Sequence, residues 1–345
     1  MSIEYKKLDQ VCEILDSRRI PITASDRKSG IYPYFGANGL QDYVDDYIFE
    51  DELVLLAEDG GNFGSKDRPI AYRVSGKCWV NNHAHVLKAK DEINIDYLCY
   101  SLMFYNTNGL VNGATRQKLT QAAMRQMLIP VRSMPEQLQI VKRIRSIFDL
   151  INDRTSELLL LDQLVKSRFI ELFGEINAPS KWEKKPWAEL VTIQNGRDYK
   201  HIAVESGGYA VYGTGGEMAR ASDYLCPENT IIVGRKGTIN NPLLVKEKFW
   251  NVDTAFGVIV GEQLHYQYFY GFCRMFDFST LNKQAVLPST TKADLLKIQI
   301  AVPPIELQEQ FAAFVEQVDK SKFEIQKSLD ELEILKKSLM QQYFG

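Results

Sequence analysis

From Ile140 an apolar residue returns every seven positions, through two parallel series. One runs Ile144, Ile151, Leu158, Val165, Leu172; its companion runs Ile140, Ile147, Arg154, Leu161, Arg168. The C-terminal end has the same layout, with Val315, Lys322, Leu329, Lys336, Tyr343 beside Phe311, Val318, Ile325, Leu332, Leu339. A seven-residue apolar repeat of this length predicts long helices that pack as a coiled coil. Pro135, and Pro303 with Pro304, stand where the helices begin, a position that tolerates proline. Gly174 is placed to stop the first helix. Arg154, Arg168, Lys322 and Lys336 interrupt the seams, and polar seam residues fix register and partner at some cost in stability.

Outside these tails the pattern changes to short β-rich runs ending in charged, Gly-containing turns, LVLLAED (53–59) and TIIVGRKG (230–237). DYLCYSLMFY (96–105) and HYQYFYGFCRMF (265–276) suit short buried helices in corresponding places. The stretches YPYFGANG (32–39) and YAVYGTGG (209–216) each set an aromatic pair before a Gly-rich turn. Gly36, Gly39, Gly213, Gly215 and Gly216 are expected to supply positive φ there.

These echoes belong to one duplication. Residues 129–174 and 300–345, compared at an offset of 171, are identical in 11 of 46 columns, including Gln137/Gln308, Leu158/Leu329 and Leu161/Leu332. WVNNHA (79–84) falls on WNVDTA (250–255) at the same offset, while Leu56–Gly60 falls on Val233–Gly237 at 177. The first copy is therefore six residues longer between Gly60 and Trp79. The expected fold class is α+β: two tandem, pseudo-twofold-related mixed α/β parts, each followed by a long helix, the two helices pairing as an antiparallel coiled coil. The expected boundaries are 1–132 and 175–302 for the globular parts, and 133–174 and 303–345 for the helices. A helix of about 38 residues spans about 57 Å, the length of roughly 16 base pairs at about 3.4 Å each.

Composition narrows the function. The 345 residues carry a net charge of −3, so a nucleic-acid reader built from this chain relies on local basic clusters rather than bulk charge. No apolar run approaches a membrane span and no secretory signal is visible at MSIEYKKLDQ. Five scattered cysteines without a CxxC pair fit reduced thiols in a cytoplasm.

Catalytic motifs are missing. Neither Gly-rich turn continues into GK[ST], so a nucleotide cradle is not supported. VPPI (302–305) lacks the Asp or Asn of an amino-methyltransferase motif. His83 and His85 are expected to face one side of a strand, but the second copy has Thr254 and Phe256 there, so no metal site is assigned. Glu58-Asp59 could serve nuclease chemistry, yet the second copy has Arg235-Lys236. A duplicated catalytic centre keeps its charge, whereas a duplicated reading surface is free to invert it. The candidate DNA contacts are therefore basic and polar: Arg18, Arg19, Arg27, Lys28, Tyr34, Asn38, Lys66, Arg68, Asn112, Arg116 and Lys118 in the first half. In the second half they are Asn195, Arg197, Lys200, His201, Thr214, Arg235, Lys236, Lys283, Thr290, Thr291 and Lys292. Gln137, Ile144, Ile151, Leu158, Leu161, Gln308, Val315, Leu329 and Leu332 are the candidates for the helix-pair and partner interface.

With GIYPYFGANGLQDYVDDYIFEDELVLLAEDG (30–60), WVNNHAHVL (79–87) and the tail starts IPVRSMPEQLQIV and IAVPPIELQEQFA, the chain resembles the specificity (S) subunits of type I restriction-modification systems. The first tail departs from the family's usual PP dipeptide with RSMPEQ. The resemblance implies two target-recognition domains, each reading half of a bipartite, asymmetric site in double-stranded DNA. It implies helical spacers that dock two methyltransferase (M) subunits, and restriction (R) subunits reached through the complex. It implies no catalytic centre and no cofactor in this chain, with S-adenosylmethionine, ATP and Mg belonging to the partner subunits. The competing expectations are a coiled-coil scaffold with no DNA role, or a fused nuclease or methyltransferase.

Overall fold

The structure is a computed structural model and describes residues 3–113, 116–281 and 289–345. The chain divides into two compact units: residues 1–155 with 327–345, and residues 156–326. Each unit thus takes one globular lobe and part of each long helix. Residues 133–155 and 327–345 fall in the first unit, and residues 156–174 and 303–326 in the second.

In the first lobe the elements run β1 (Glu4–Lys7), α1 (Leu8–Val11), β2 (Cys12–Ile14), β3 (Ser29–Gly36), β4 (Gly39–Val44), β5 (Phe49–Ala57), β6 (Ala71–Val80), β7 (Ala84–Ala89), α2 (Ile95–Met103), β8 (Val111–Asn112), β9 (Lys118–Leu119), α3 (Gln121–Arg125) and β10 (Leu128–Val131). The long α4 (Met134–Phe173) follows. The second lobe runs β11 (Lys184–Pro186), α5 (Trp187–Leu190), β12 (Val191–Asn195), β13 (Ala203–Val204), β14 (Tyr209–Gly213), β15 (Gly216–Ala221), β16 (Thr230–Gly234), β17 (Leu243–Val245), β18 (Phe249–Asn251), β19 (Ala255–Val260), α6 (Tyr266–Met275), α7 (Lys292–Leu295) and β20 (Gln299–Ala301). It ends in α8 (Ile305–Phe344).

The central strands read as unbroken apolar runs because both of their faces are covered. Along β5, Val54 and Leu56 join the core shared with α2 and the long helices, while Leu53 and Leu55 pack on the opposite face. Along β16, Ile231 and Val233 face the helices and Ile232 faces away. The lobes differ in one respect. The first has a six-stranded sheet, order β2-β7-β5-β6-β3-β4, held together by the ten-residue β6. In the second lobe the corresponding run is broken at Lys246-Glu247-Lys248, giving two four-stranded sheets, β12-β19-β16-β17 and β13-β15-β14-β18. Both lobes keep the same parallel contact beside the Gly-rich hairpin, Tyr34 against Trp79 and Val211 against Trp250. Of the five hairpin glycines, Gly39 (φ 112°) and Gly216 (φ 115°) have positive φ, and the other three do not. A Cβ at Gly36 would lie 2.3 Å from Gln41 Nε2, so a larger residue there displaces the Gln41 side chain.

The seven-residue seams are buried as their spacing predicts. On α8 the buried positions advance by steps of three, four or seven from Gln308 through Phe311, Val315, Val318, Ile325 and Leu329 to Lys336. Ile144, Val315 and Leu329 are buried, and Ile151, Leu158, Leu161 and Leu332 are half-buried. In the first unit the start of α4 meets the end of α8: Ile140, Val141, Ile144 and Met340 share a core with Tyr97 and Leu98 of α2. In the second unit the end of α4 meets the start of α8. There the rings of Phe169 and Tyr268 stack at 5.5 Å, and Phe169 meets Phe311 edge-on at 5.4 Å. The pairing is antiparallel, and the helix pair is built into each lobe's core rather than standing beside it. The seam charges are matched: Lys322 pairs with Asp162 at 2.9 Å, and Lys336 with Glu333 at 2.6 Å. Arg168 pairs with Glu171 at 2.8 Å.

The start of α4 is set by Ser133, whose N–H and Oγ–H both donate to Glu136 Oε2, a capping arrangement that needs no PP dipeptide. Gly174, at φ 79°, closes its other end with its N–H on Ile170 O. Gln137 and Gln308 were expected in the helix-pair interface, but both are fully buried at the joint between lobe and helix. Gln137 Oε1 accepts from Asn94 N at 2.8 Å, and its Nε2 donates to Glu92 O and Arg132 O. Gln308 Oε1 accepts from His265 N at 2.8 Å, and its Nε2 donates to Gln263 O and Pro303 O. Each amide thus ties the first turn of a long helix to the turn that caps α2 or α6. The phenols of Tyr97 and Tyr268 reinforce the joints by donating to Pro130 O and Ala301 O.

Candidate nucleic-acid interface

The same backbone framework recurs in both lobes. In the first, the loop after β5 makes three contacts with two segments: Glu58 N donates to His83 O, Leu119 N donates to Glu58 O, and Asp59 bridges to Lys118. In the second, Arg235 N donates to Thr254 O, Thr290 N donates to Arg235 O, and Lys236 bridges to Ser289. The hairpin turn joins the first of these loops through Asn38 Nδ2, which donates to Gly60 O at 3.0 Å; Asn62 Nδ2 donates in turn to Asn38 Oδ1.

On this common frame the chemistry is inverted. In the first lobe Glu58 accepts from Arg19 at 2.7 Å and lies 3.1 Å from Lys118 Nζ. Burial raises the Glu58 carboxyl, but the hydrogen bonds from Arg19 and Lys118 outweigh it and hold the group below its ordinary value. Asp59 is contacted by Arg116 and by His83 Nδ1, each at 2.7 Å. Behind them, fully buried His85 has both ring nitrogens facing acceptors, Asp16 Oδ2 at 2.7 Å and Leu119 O at 2.9 Å. Burial raises Asp16, yet hydrogen bonds from His85, Val86 N and Gln121 leave it lowered overall. Asp16, Glu58 and His85 place ligand-type atoms within 4.8 Å of one another. The cations those carboxylates face are the side chains of Arg19 and Lys118, so the group is an ion-pair network. In the second lobe Arg235 and Lys236 are exposed at the positions of Glu58 and Asp59. The Arg235 guanidinium lies 5.8 Å from the ring of Phe256, the residue at the position of His85.

The expected contacts separate into groups. Asn38, Arg116 and Lys118 converge on the first loop, and Asn112 joins them by pairing with Lys118 across β8 and β9. Lys28, Lys66 and Arg68 are exposed on other loops. Arg27 lies over the Tyr34 ring at 4.2 Å, and Arg18 lies over Phe49 and donates to Ile48 O. Tyr34 is 1% exposed, because it points from β3 into the core, and so offers no surface. Arg19 is spent on Glu58 and Ala84 O. In the second lobe Arg235 and Lys236 are exposed, Thr214 is half-exposed in its hairpin turn, and Asn195, Arg197, Lys200 and His201 are exposed. Thr290 is 3% exposed with its hydroxyl on Gly234 O; Thr291 caps α7; Lys292 Nζ donates to Ile193 O. These three support the framework. Lys283 lies outside the described residues.

His83 and His85 do not share one site, as their spacing had suggested. His83 joins Asp59 at the surface and His85 joins Asp16 inside. Sequence reading missed Asp59, His83 and Asn62 as members of the surface. The one signal available was the Glu58-Asp59 to Arg235-Lys236 inversion, which marked the loop without showing what the carboxylates hold. All five cysteines are buried, and burial pushes the thiols of Cys12, Cys99 and Cys226 up to about 12. Among the described residues no helix is long and apolar enough to cross a membrane.

Two β-rich lobes, one long helix after each, and a polar loop system present in both define a duplicated α+β architecture. Residues 2–160 and 179–334 match the type I restriction modification DNA specificity domain, and the chain belongs to that family. It is 41% identical over 155 residues to a putative type I restriction enzyme specificity subunit, S.HindORF215P, from Haemophilus influenzae (45% of this chain, 39% of that one). It is 27% identical over 130 residues to the type I restriction enzyme EcoprrI specificity subunit from Escherichia coli (38% and 31%). The matches therefore span well under half the length of these curated relatives. The fold is similar to the type I restriction-modification S subunit from M. genitalium, with a TM-score of 0.66 at 14% identity over 100% of this chain and 96% of that one. A chain from a structure of complex assembly and conformational transition of the type I R-M system gives a TM-score of 0.59 at 14% identity, over 100% and 99%.

Proposed function

We propose that this chain is the non-catalytic DNA specificity subunit of a cytoplasmic type I restriction-modification complex. Each lobe reads one half of a bipartite, asymmetric site in double-stranded DNA. The long helices set the spacing of the halves and dock two M subunits, with R subunits joining through the complex. Methyl transfer from S-adenosylmethionine and Mg- and ATP-dependent work are assigned to those partners. The observation that carries this reading is one loop framework used twice with opposite charge: Glu58-Asp59 in one lobe, Arg235-Lys236 in the other. Conserving a frame while inverting its surface suits two different readouts and suits no duplicated reaction.

The test is binding by the chain assembled with its M subunits to duplexes in which one half-site at a time is scrambled. Losing either half is expected to weaken binding by about a hundredfold, since two linked contacts reinforce one another by about 10² to 10⁴. Failure to retain any DNA at any salt concentration supports the scaffold alternative. Cleavage or methylation by the purified chain alone supports the enzyme.

A further inference from the structure

We propose that Arg116 is a base-reading residue, aimed by Asp59 and His83 at the edge of a guanine in the half-site read by the first lobe. The inference rests on the DNA-reading function just proposed and names a specificity determinant within it.

The side chain of Arg116 is 61% exposed, yet it does not hang free. Its Nη2 donates to Asp59 Oδ1 at 2.7 Å and lies 3.4 Å from His83 Nδ1. Asp59 is only 17% exposed and is itself held by His83 at 2.7 Å. The guanidinium crosses Gly60, where an added Cβ would sit 3.5 Å from Nε and Nη2. The carbonyl of Gly60 is pinned in turn by Asn38. The result is an arginine fixed at one nitrogen, with no partner for Nε and Nη1 among the described residues.

Such a brace changes what the arginine recognises. Asp59 offsets the guanidinium charge, which weakens the pull of phosphates, a mainly electrostatic contact. It also restricts how the guanidinium can turn, and the O6 and N7 acceptors of guanine reward orientation because two N–H groups on one edge, the second N–H of Nη2 with that of a neighbouring nitrogen, must meet them together. The second lobe supplies the contrast. Exposed Lys236 stands at the position of Asp59 and adds charge without orienting anything, which suits a phosphate contact.

The test uses the chain assembled with its M subunits, a duplex library varied one base at a time, and several salt concentrations. The wild type is expected to demand guanine at one position of the first half-site. Asp59→Asn is expected to lower that discrimination about tenfold, and Arg116→Ala to abolish it; Arg116→Lys is not expected to restore it. Lys236→Ala is expected to weaken binding equally for all sequences and to lower the salt slope by about one. Thermal melting confirms that each variant is folded. A uniform loss with a reduced salt slope for Arg116→Ala makes it a phosphate anchor and overturns the inference, as does unchanged base discrimination in folded Asp59→Asn. A wild-type complex that binds with no base preference in either half sinks the underlying DNA reading instead.

Discussion

Replacing Gln137 or Gln308 with leucine is expected to destabilise the unit that contains it by about 3 kcal/mol or more. Leucine has nearly the volume of glutamine and keeps the helix, so the loss comes from hydrogen bonds. Gln137→Leu strips partners from Asn94 N–H and from the carbonyls of Glu92 and Arg132, around a side chain with 0% exposure. Each buried polar group left unsatisfied costs about 1–3 kcal/mol. Gln308→Leu does the same to His265 N–H and to the carbonyls of Gln263 and Pro303. Denaturant unfolding measures the loss. Hydrogen exchange locates it, with the Asn94 amide losing protection in one variant and the His265 amide in the other. Unchanged midpoints and protection contradict the account of these joints.

Removing one heptad from each long helix is expected to shorten the preferred gap between half-sites by about three base pairs. Seven residues at about 1.5 Å each are about 10 Å, roughly three steps of about 3.4 Å. A whole heptad keeps the seam in register. It spares the core residues that join helix to lobe if it is taken between Ile151 and Leu161, and from the facing part of α8. Three base pairs are also about a third of a 10.5-base-pair turn, so peak activity at the shorter gap is expected to fall below that of the wild type. Methylation measured on duplexes of graded spacing reads both effects. Retention of the original gap rejects the helices as the ruler.

What the sequence made legible was whatever repeats or alternates. The seven-residue series located both helices because burial at three- and four-residue steps leaves a periodic trace, as at Phe311, Val315 and Val318. The duplication paired the lobes, and the same columns pair the loops at Glu58 and Arg235 in the structure. Long-range contacts left no such trace. Arg116 reaches Asp59 across 57 residues and His85 reaches Asp16 across 69, and nothing local marks either pair. Gln137 and Gln308 stand out as identical residues, but the bonds that tie them to Asn94 and His265 each run across 43 residues, and nothing local marks them. Tyr34 was misplaced for a simpler reason. Next to a turn, an aromatic residue that faces inward looks the same in sequence as one that faces out.

The most direct test of the account is a base-resolution map of methylated sites when residues 178–299 are exchanged for the corresponding lobe of another specificity subunit, with the M subunits present. If each lobe is an independent reader, one half of the recognised motif changes while the other half stays as it was. A motif left unaltered, or one altered throughout both halves, contradicts it.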